Sequence, residues 1–165
     1  MDFYNITDRY IQYLKQYDDK VAINKRETRP YIGIVFKIEE IEYFAPFSSP
    51  KPKHEKMRNG GVDYRKIDSG KLGIINFNNM IPVPHSELIP LIFDNIKDKK
   101  YKTLLQNQYE HIERDEEGIL KTAKNLYRIV TSIDELNSFY QTIRSRSCNF
   151  KLLEEKCREY EEDRV

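Results

Sequence analysis

At 165 residues the chain has the length of one ordinary domain and lies far above the ~40 residues below which folding needs disulfide or metal staples. Charged residues make up 33% and hydrophobic residues 39%, but 12 Tyr and 8 Phe supply large apolar bodies, which excludes a disordered chain and predicts one globular domain over residues 1–165. A formal net charge of +1 excludes attraction of the whole molecule to a polyanion, so any nucleic-acid site must come from local clustering of basic residues.

At the N-terminus, MDFYNITDRY has neither the basic start nor the apolar stretch of a signal peptide, and no apolar run approaches the ~20 residues that span a bilayer. A cytoplasmic protein with no membrane partner is expected. Thr7 and Asp8 can cap a helix running to about Tyr17, with Tyr10, Ile11 and Leu14 on one apolar face. A polar stretch from Val21 to Pro30 reads as a loop. YIGIVFKI, from Tyr31 to Ile38, is β-branched and aromatic and predicts a buried strand; IEYFAPF, from Ile41 to Phe47, predicts its antiparallel partner, because Glu39 and Glu40 leave no room for a crossover helix.

Ser48 to Gly61, SSPKPKHEKMRNGG, has two prolines, two terminal glycines and almost no apolar residue, so it reads as a basic loop that neither strand nor helix traverses. From Ser49 to Lys71 seven basic residues face three acidic ones, the local excess that the net charge conceals. Short strands are expected at Tyr64–Ile67, Lys71–Asn76 and Met80–Val83, separated by Asp68-Ser69-Gly70 and an asparagine-rich turn.

Beyond Pro90 the period becomes helical. Tyr101, Leu104, Leu105, Gln108 and Ile112 trace one face, Leu120, Ala123, Leu126, Tyr127 and Val130 another, with Gly118 as the break between them. Ser132 and Glu135 fit a capping box for a third helix with Leu136, Phe139, Tyr140 and Ile143 as its buried stripe, and a last helix starts near Asn149. Strands first and helices later predict an α+β fold. Cys148 and Cys157, nine residues apart in a helical tail, suit neither a disulfide framework nor a thiol redox motif and are read as reduced.

Three histidines, His54, His85 and His111, are scattered, and no Cys or His pair has zinc-ligand spacing, so neither metal nor cofactor is expected. Glu110 to Glu117, with Arg114 among its acids, reads as a solvated helix face. Asn59-Gly60-Gly61 lacks the spacing of a nucleotide-binding loop. The informative segment is Ser48-Ser49-Pro50-Lys51-Pro52-Lys53-His54, in which paired hydroxyls leave a strand and a cation follows. Such a loop can aim two hydroxyls and an ammonium at one phosphate, although on the residues alone the plainer reading, a solvated turn with incidental lysines, is the favoured one.

Five segments in order resemble the ToxN/AbiQ family, the protein component of type III toxin–antitoxin systems: FYNITDRYIQYLKQYDDKV, YIGIVFKI, YFAPFSSPKPKH, LGIINFNNMIPV and CNFKLLEEKCREY. The resemblance implies an antiparallel β-sheet core of the small RNase-toxin type, the MazF/Kid-like barrel, wrapped by α-helices. It also implies a sequence-selective endoribonuclease acting on single-stranded, adenine-rich RNA, with cellular mRNA as substrate. A repetitive pseudoknot antitoxin RNA would bind and inhibit it in a cyclic toxin–RNA hetero-oligomer, with a role in phage defence. The family's active-site hydroxyl and lysine match Ser49 and Lys51, and the preceding hydroxyl matches Ser48. Arg29 stands nearest a lysine of the preceding loop, and Tyr31 is the available substitute for a tyrosine that this shorter loop lacks.

Cleavage without a metal implies attack by the RNA's own 2′-hydroxyl, leaving a 2′,3′-cyclic phosphate and a 5′-hydroxyl. Lys51 would stabilise charge and Ser48 and Ser49 would orient the phosphate. His54, with an ordinary pKa of ~6.5, is the candidate proton carrier, against the plainer reading of an exposed histidine in a basic loop. Arg29, Lys53, Lys56, Arg58, Lys66 and Lys71 are expected as phosphate clamps, and Tyr31 or Tyr64 as stacking aromatics. The competing classes are a non-catalytic RNA-binding module using the same basic loop and a partner-binding protein with no RNA affinity.

Overall fold

The computed structural model describes residues 1–23 and 31–164. Strand β1 (Phe3–Ile6) buries Phe3 and Ile6 and leads into α1 (Asp8–Lys15), whose Tyr10, Ile11 and Leu14 form the predicted buried face. Thr7 stands at the N-cap, but its buried hydroxyl bonds nothing among the described residues; its N–H donates to the Glu87 carbonyl at 3.1 Å instead. Helix α1 ends two residues earlier than the sequence predicts.

β2 (Gly33–Ile38) and β3 (Ile41–Pro46) form the expected hairpin, from Gly33↔Pro46 to Ile38↔Ile41, and Glu39 takes a φ of 56° to make its tight corner. Tyr31 and Ile32 precede the strand proper, although Phe47 N–H still donates to the Ile32 carbonyl at 3.1 Å. Past the basic loop come β4 (Tyr64–Lys66), β5 (Ile74–Asn76), β6 (Ile81–Pro82) and β7 (Leu88–Pro90). β5 starts three residues later than predicted because Gly73, at φ 98°, ends a turn there. β7 has no sequence forecast: two apolar residues ahead of Pro90 carry no periodicity, and pairing with β1 alone makes them a strand.

Five strands form one antiparallel sheet in the order β6-β3-β2-β1-β7, with Pro82 and Pro90 in its two edge strands. β4 and β5 form a separate hairpin, joined to the sheet through a bridge between Phe47 and Ile75. The sheet core with surrounding helices is therefore as expected, but the described residues do not close a barrel: the strands split into an open five-stranded sheet and this hairpin.

The helices are α3 (Lys99–Arg114), α4 (Glu116–Val130), α5 (Ser138–Arg146) and α6 (Phe150–Asp163). Gly118 does not separate α3 from α4. The break falls at Asp115, and Gly118 lies inside α4, where a Cβ would collide with the Arg65 guanidinium that forks onto Asp115. Nor do Ser132 and Glu135 open α5. Its cap is Asn137, accepting from Tyr140 N–H at 2.8 Å, while the Ser132 hydroxyl accepts from Asp134 N–H. Of the stripe predicted for α5, Ile143 is buried but Phe139 is 55% exposed. α6 starts at its Asn149 cap as predicted, and Cys148 and Cys157 are unbridged, with burial pushing their thiols up to about 12 and about 11. No helix of the described residues is long and apolar enough to cross a membrane.

Two buried carboxylates fasten α6 to the rest of the fold. Glu87, fully buried, accepts from Arg9 Nε and Nη2 at 2.8 and 2.7 Å and from the Tyr160 hydroxyl. Glu154 accepts from the Tyr43 and Tyr127 hydroxyls at 2.5 and 2.7 Å. Hydrogen bonding from Arg9 holds the Glu87 carboxyl below the usual range against the opposing effect of burial. The stability it contributes is therefore fully present above the ordinary glutamate pKa of ~4.3 and is lost as pH falls through the lower folded value. Thermal unfolding followed from pH ~6 to ~3 should show this acid limb in the native protein, and Glu87→Ala should flatten it while costing about 1–3 kcal/mol from the Tyr160 hydroxyl left unpaired.

Candidate active site

As β3 ends, Phe47 crosses to Ile75, and Ser48 N–H donates to the Ile74 carbonyl at 2.9 Å, so the chain is caught by β5. This close approach depends on Gly73: a Cβ there would run into the Ser48 carbonyl, and its φ of 98° is in the left-handed region. Ser48 and Ser49 are half-buried at this crossing. The Ser48 hydroxyl is buried with no hydrogen-bond partner among the described residues.

Pro50 then carries the chain, still extended, to Lys51 (φ −133°, ψ 151°), where a single helical turn begins: α2 (Pro52–Lys56). This corrects the expectation that no helix enters the loop. Proline is tolerated at the first helical position because its missing N–H would be unpaired there in any case. The turn is closed by a histidine. His54 N–H donates to the Lys51 carbonyl at 2.9 Å, and Lys51 N–H donates to His54 Nδ1 at 3.1 Å, so the imidazole does what a glutamate or glutamine does in an ordinary capping box. His54 is only 1% exposed, which overturns the reading of a solvated histidine. Its Nδ1 must be unprotonated to accept, and burial, with the charges of Lys53 and Lys51, lowers its pKa.

The side chains of Lys51, Lys56 and Lys71 meet around one recess that also takes in Pro50, Glu55 and Gly70. Lys53 points to the other side of α2, into a second recess shared with Tyr64 and Arg146. Lys66 braces α2 by donating to the Glu55 carbonyl at 2.9 Å, and Arg58 is exposed, its carbonyl accepting from the Tyr64 hydroxyl at 2.5 Å. Arg29 lies outside the described residues. Continuing the β2–β3 register two residues beyond Gly33↔Pro46 sets Tyr31 opposite Ser48, with its ring 5.2 Å from that of Phe44. The Tyr31 hydroxyl is buried, has no partner among the described residues, and is held protonated by burial, so it can donate but not act as a base. Among the described residues no three His, Cys, Asp or Glu side chains are arranged to hold an ion.

Sequence reasoning missed the groups that hold this loop in place, Gly73 and the Ile74 carbonyl. A Gly-Lys-Leu-Gly spacing was the available signal, but only the fold shows what the glycines approach.

A family model described as toxin ToxN of type III toxin–antitoxin systems matches residues 2–158. The chain is similar to endoribonuclease ToxN of Bacillus thuringiensis subsp. kurstaki, 32% identical over 166 residues that cover 97% of this chain and 84% of the relative. It superposes with a TM-score of 0.83, at 30% identity and 98% coverage of both chains, on a type III toxin described as selectively inhibited by a non-coding RNA pseudoknot. A third match is AbiQ, described as a lactococcal anti-phage endoribonuclease of the type III toxin–antitoxin system: TM-score 0.79, 30% identity, 98% of each chain.

A neutral His54 makes the loop sensitive to acid. Because its folded pKa lies below the ordinary value of ~6.5, the unfolded chain binds the extra proton first, and stability declines as pH falls below that value until the folded pKa is passed. His54→Gln keeps a side-chain acceptor for Lys51 N–H and should remove this decline. His54→Ala should lose the acceptor as well, which faster amide exchange at Lys51 would report.

Proposed function

The chain belongs to the ToxN family of type III toxin–antitoxin systems, as an endoribonuclease toxin, and from that premise we propose that Ser48–His54 is its cutting loop. The observation that carries this assignment is the buried Ser48 hydroxyl, unpartnered among the described residues, beside Ser49 and three residues before an exposed Lys51, on a backbone pinned at both ends.

In the reaction proposed, the 2′-oxygen of a ribose forms a bond to the adjacent phosphorus while the bond from phosphorus to the 5′-oxygen breaks. The 2′-hydroxyl loses a proton and the departing 5′-oxygen gains one, so the products are a 2′,3′-cyclic phosphate and a 5′-hydroxyl. Ser48, Ser49 and Tyr31 donate to the phosphate oxygens, and Lys51 offsets the charge that grows on them in the transition state. His54 serves the reaction through Lys51, whose backbone it fixes, rather than by carrying the proton. Lys56 and Lys71 flank Lys51 and attract the backbone on either side of the cut; Lys53 and Arg58 extend that path, and Lys66 adds charge from its place at the end of α2.

The substrate proposed is single-stranded, adenine-rich RNA, with cellular mRNA as its source. The inhibitor is a repetitive antitoxin RNA folded as pseudoknots, which assembles with the toxin into a cyclic hetero-oligomer in the cytoplasm, and release of the toxin during infection would serve phage defence. The pseudoknot and anti-phage associations of the two matched structures support this reading.

Purified protein incubated with a labelled adenine-rich RNA and excess chelator should cut it to cyclic-phosphate ends and leave the 2′-deoxy counterpart intact. Ser49→Ala and Lys51→Ala should each lower the rate ~10²- to 10³-fold without changing the circular dichroism. Tight binding without cutting by the native protein would identify a binding module instead.

A further inference from the structure

The recess on the far side of α2 carries a base-reading chemistry that the cutting loop lacks. Ile74 joins the two: its carbonyl holds Ser48 N–H at 2.9 Å, and its side chain lines this recess. Two residues further along β5, about 7 Å at the usual rise of a strand, stands Asn76, and Asn78 follows in the adjoining turn. Both are half-buried, and neither carboxamide makes a hydrogen bond to another described residue. A carboxamide lining a polar recess without a partner among the described residues can bond a ligand that offers both a donor and an acceptor.

Tyr64 stands directly opposite Asn76 in the β4–β5 ladder, so their Cβ atoms lie ~4.5–5.5 Å apart. The tyrosine ring is fixed at its tip by the bond to the Arg58 carbonyl and along its edge by Gly61, where a Cβ would clash with it. It lines the recess as a rigid apolar wall. Cations close the rim. Lys53 comes from α2, and Arg146 comes from α5, its Nε and Nη2 anchored on buried Asp63 at 2.6 and 3.0 Å and its side chain 52% exposed.

We propose that this recess is a specificity subsite for the nucleobase next to the cut, in which Tyr64 stacks on an adenine, Asn76 and Asn78 read its edge, and Lys53 and Arg146 hold its phosphate. The proposal rests on the ribonuclease reading above. On the Hoogsteen edge adenine alone pairs an acceptor, N7, with a donor, the 6-amino group, and a carboxamide matches both at once. Guanine presents two acceptors there and forfeits one bond. The cations carry no base preference and supply affinity that salt weakens.

The test uses short RNAs with one cut site, varied through the four bases on each side of the cut, and their uncleavable 2′-deoxy versions labelled for binding. The native protein should favour adenine over guanine at one of the two positions by about 10-fold in kcat/KM, the worth of one good bidentate pair. Asn76→Ala and Asn78→Ala should bring that ratio toward one. Replacing the adenine by 7-deazaadenine, which removes N7 without touching the protein, should cost the native enzyme a similar factor and the variants little. Cutting by the native protein with the ratio unchanged in both variants, or indifference of the native protein to 7-deazaadenine, would overturn the subsite. Adenine-selective binding that the variants lose, with no cutting by the native protein, would uphold the subsite and overturn the ribonuclease reading.

Discussion

The hydrogen bond from Ser48 N–H to the Ile74 carbonyl joins the open sheet to the small hairpin, and every group in the candidate site is referred to it. On one side of the bond lies β3, fixed in register by six pairs with β2 and by Tyr43, whose hydroxyl ends on buried Glu154. On the other lies β5, held by β4 and by the bridge from Phe47. A strand and a hairpin meeting at this bond and the adjoining bridge form a corner, and side chains at a corner diverge into separate recesses. The lysines of one recess and the carboxamides of the other can therefore belong to one continuous RNA track. Gly73 is the condition for the corner, since any side chain there would push Ser48 away from the carbonyl that holds it.

Charge is distributed in keeping with that geometry. Of the anionic residues that the fold buries, Glu87 and Glu154 accept from tyrosine hydroxyls and Arg9 and bind α6 to the rest of the fold. Two arginines from the basic half of the surface are likewise committed, Arg65 to Asp115 and Arg146 to Asp63. Lys51, Lys53, Lys56 and Lys71 beside α2 are flexible point charges suited to following a phosphate chain, with Arg146 held in one orientation near Lys53.

Much of this was readable in the residues, and the failures have identifiable causes. The buried face of α1, the β2–β3 hairpin and the start of α6 depend on local period and capping, so the sequence states them directly. Helix α2 was hidden because prolines suppress a helical reading and because the partner in its capping box is His54, not glutamate or glutamine. β7 is a strand only by virtue of β1, and Gly118 is small because Arg65 crosses it, a contact made by residues far away in the chain. Ser48, Ser49 and Lys51 could be singled out from their spacing and from the family resemblance. Asn76, Asn78 and Arg146 could not, since a turn residue and a helix-end arginine become neighbours only after the fold has formed.

Proline at the rims of the sheet bears on how copies of the protein can associate. β6 has two residues and ends in Pro82, while β7 has three and ends in Pro90, so each outer strand is short and lacks an N–H. Neither margin offers a row of free backbone groups on which a second copy could continue the sheet. Continuation of the sheet from one copy to the next is therefore opposed at both margins by the backbone chemistry of proline itself.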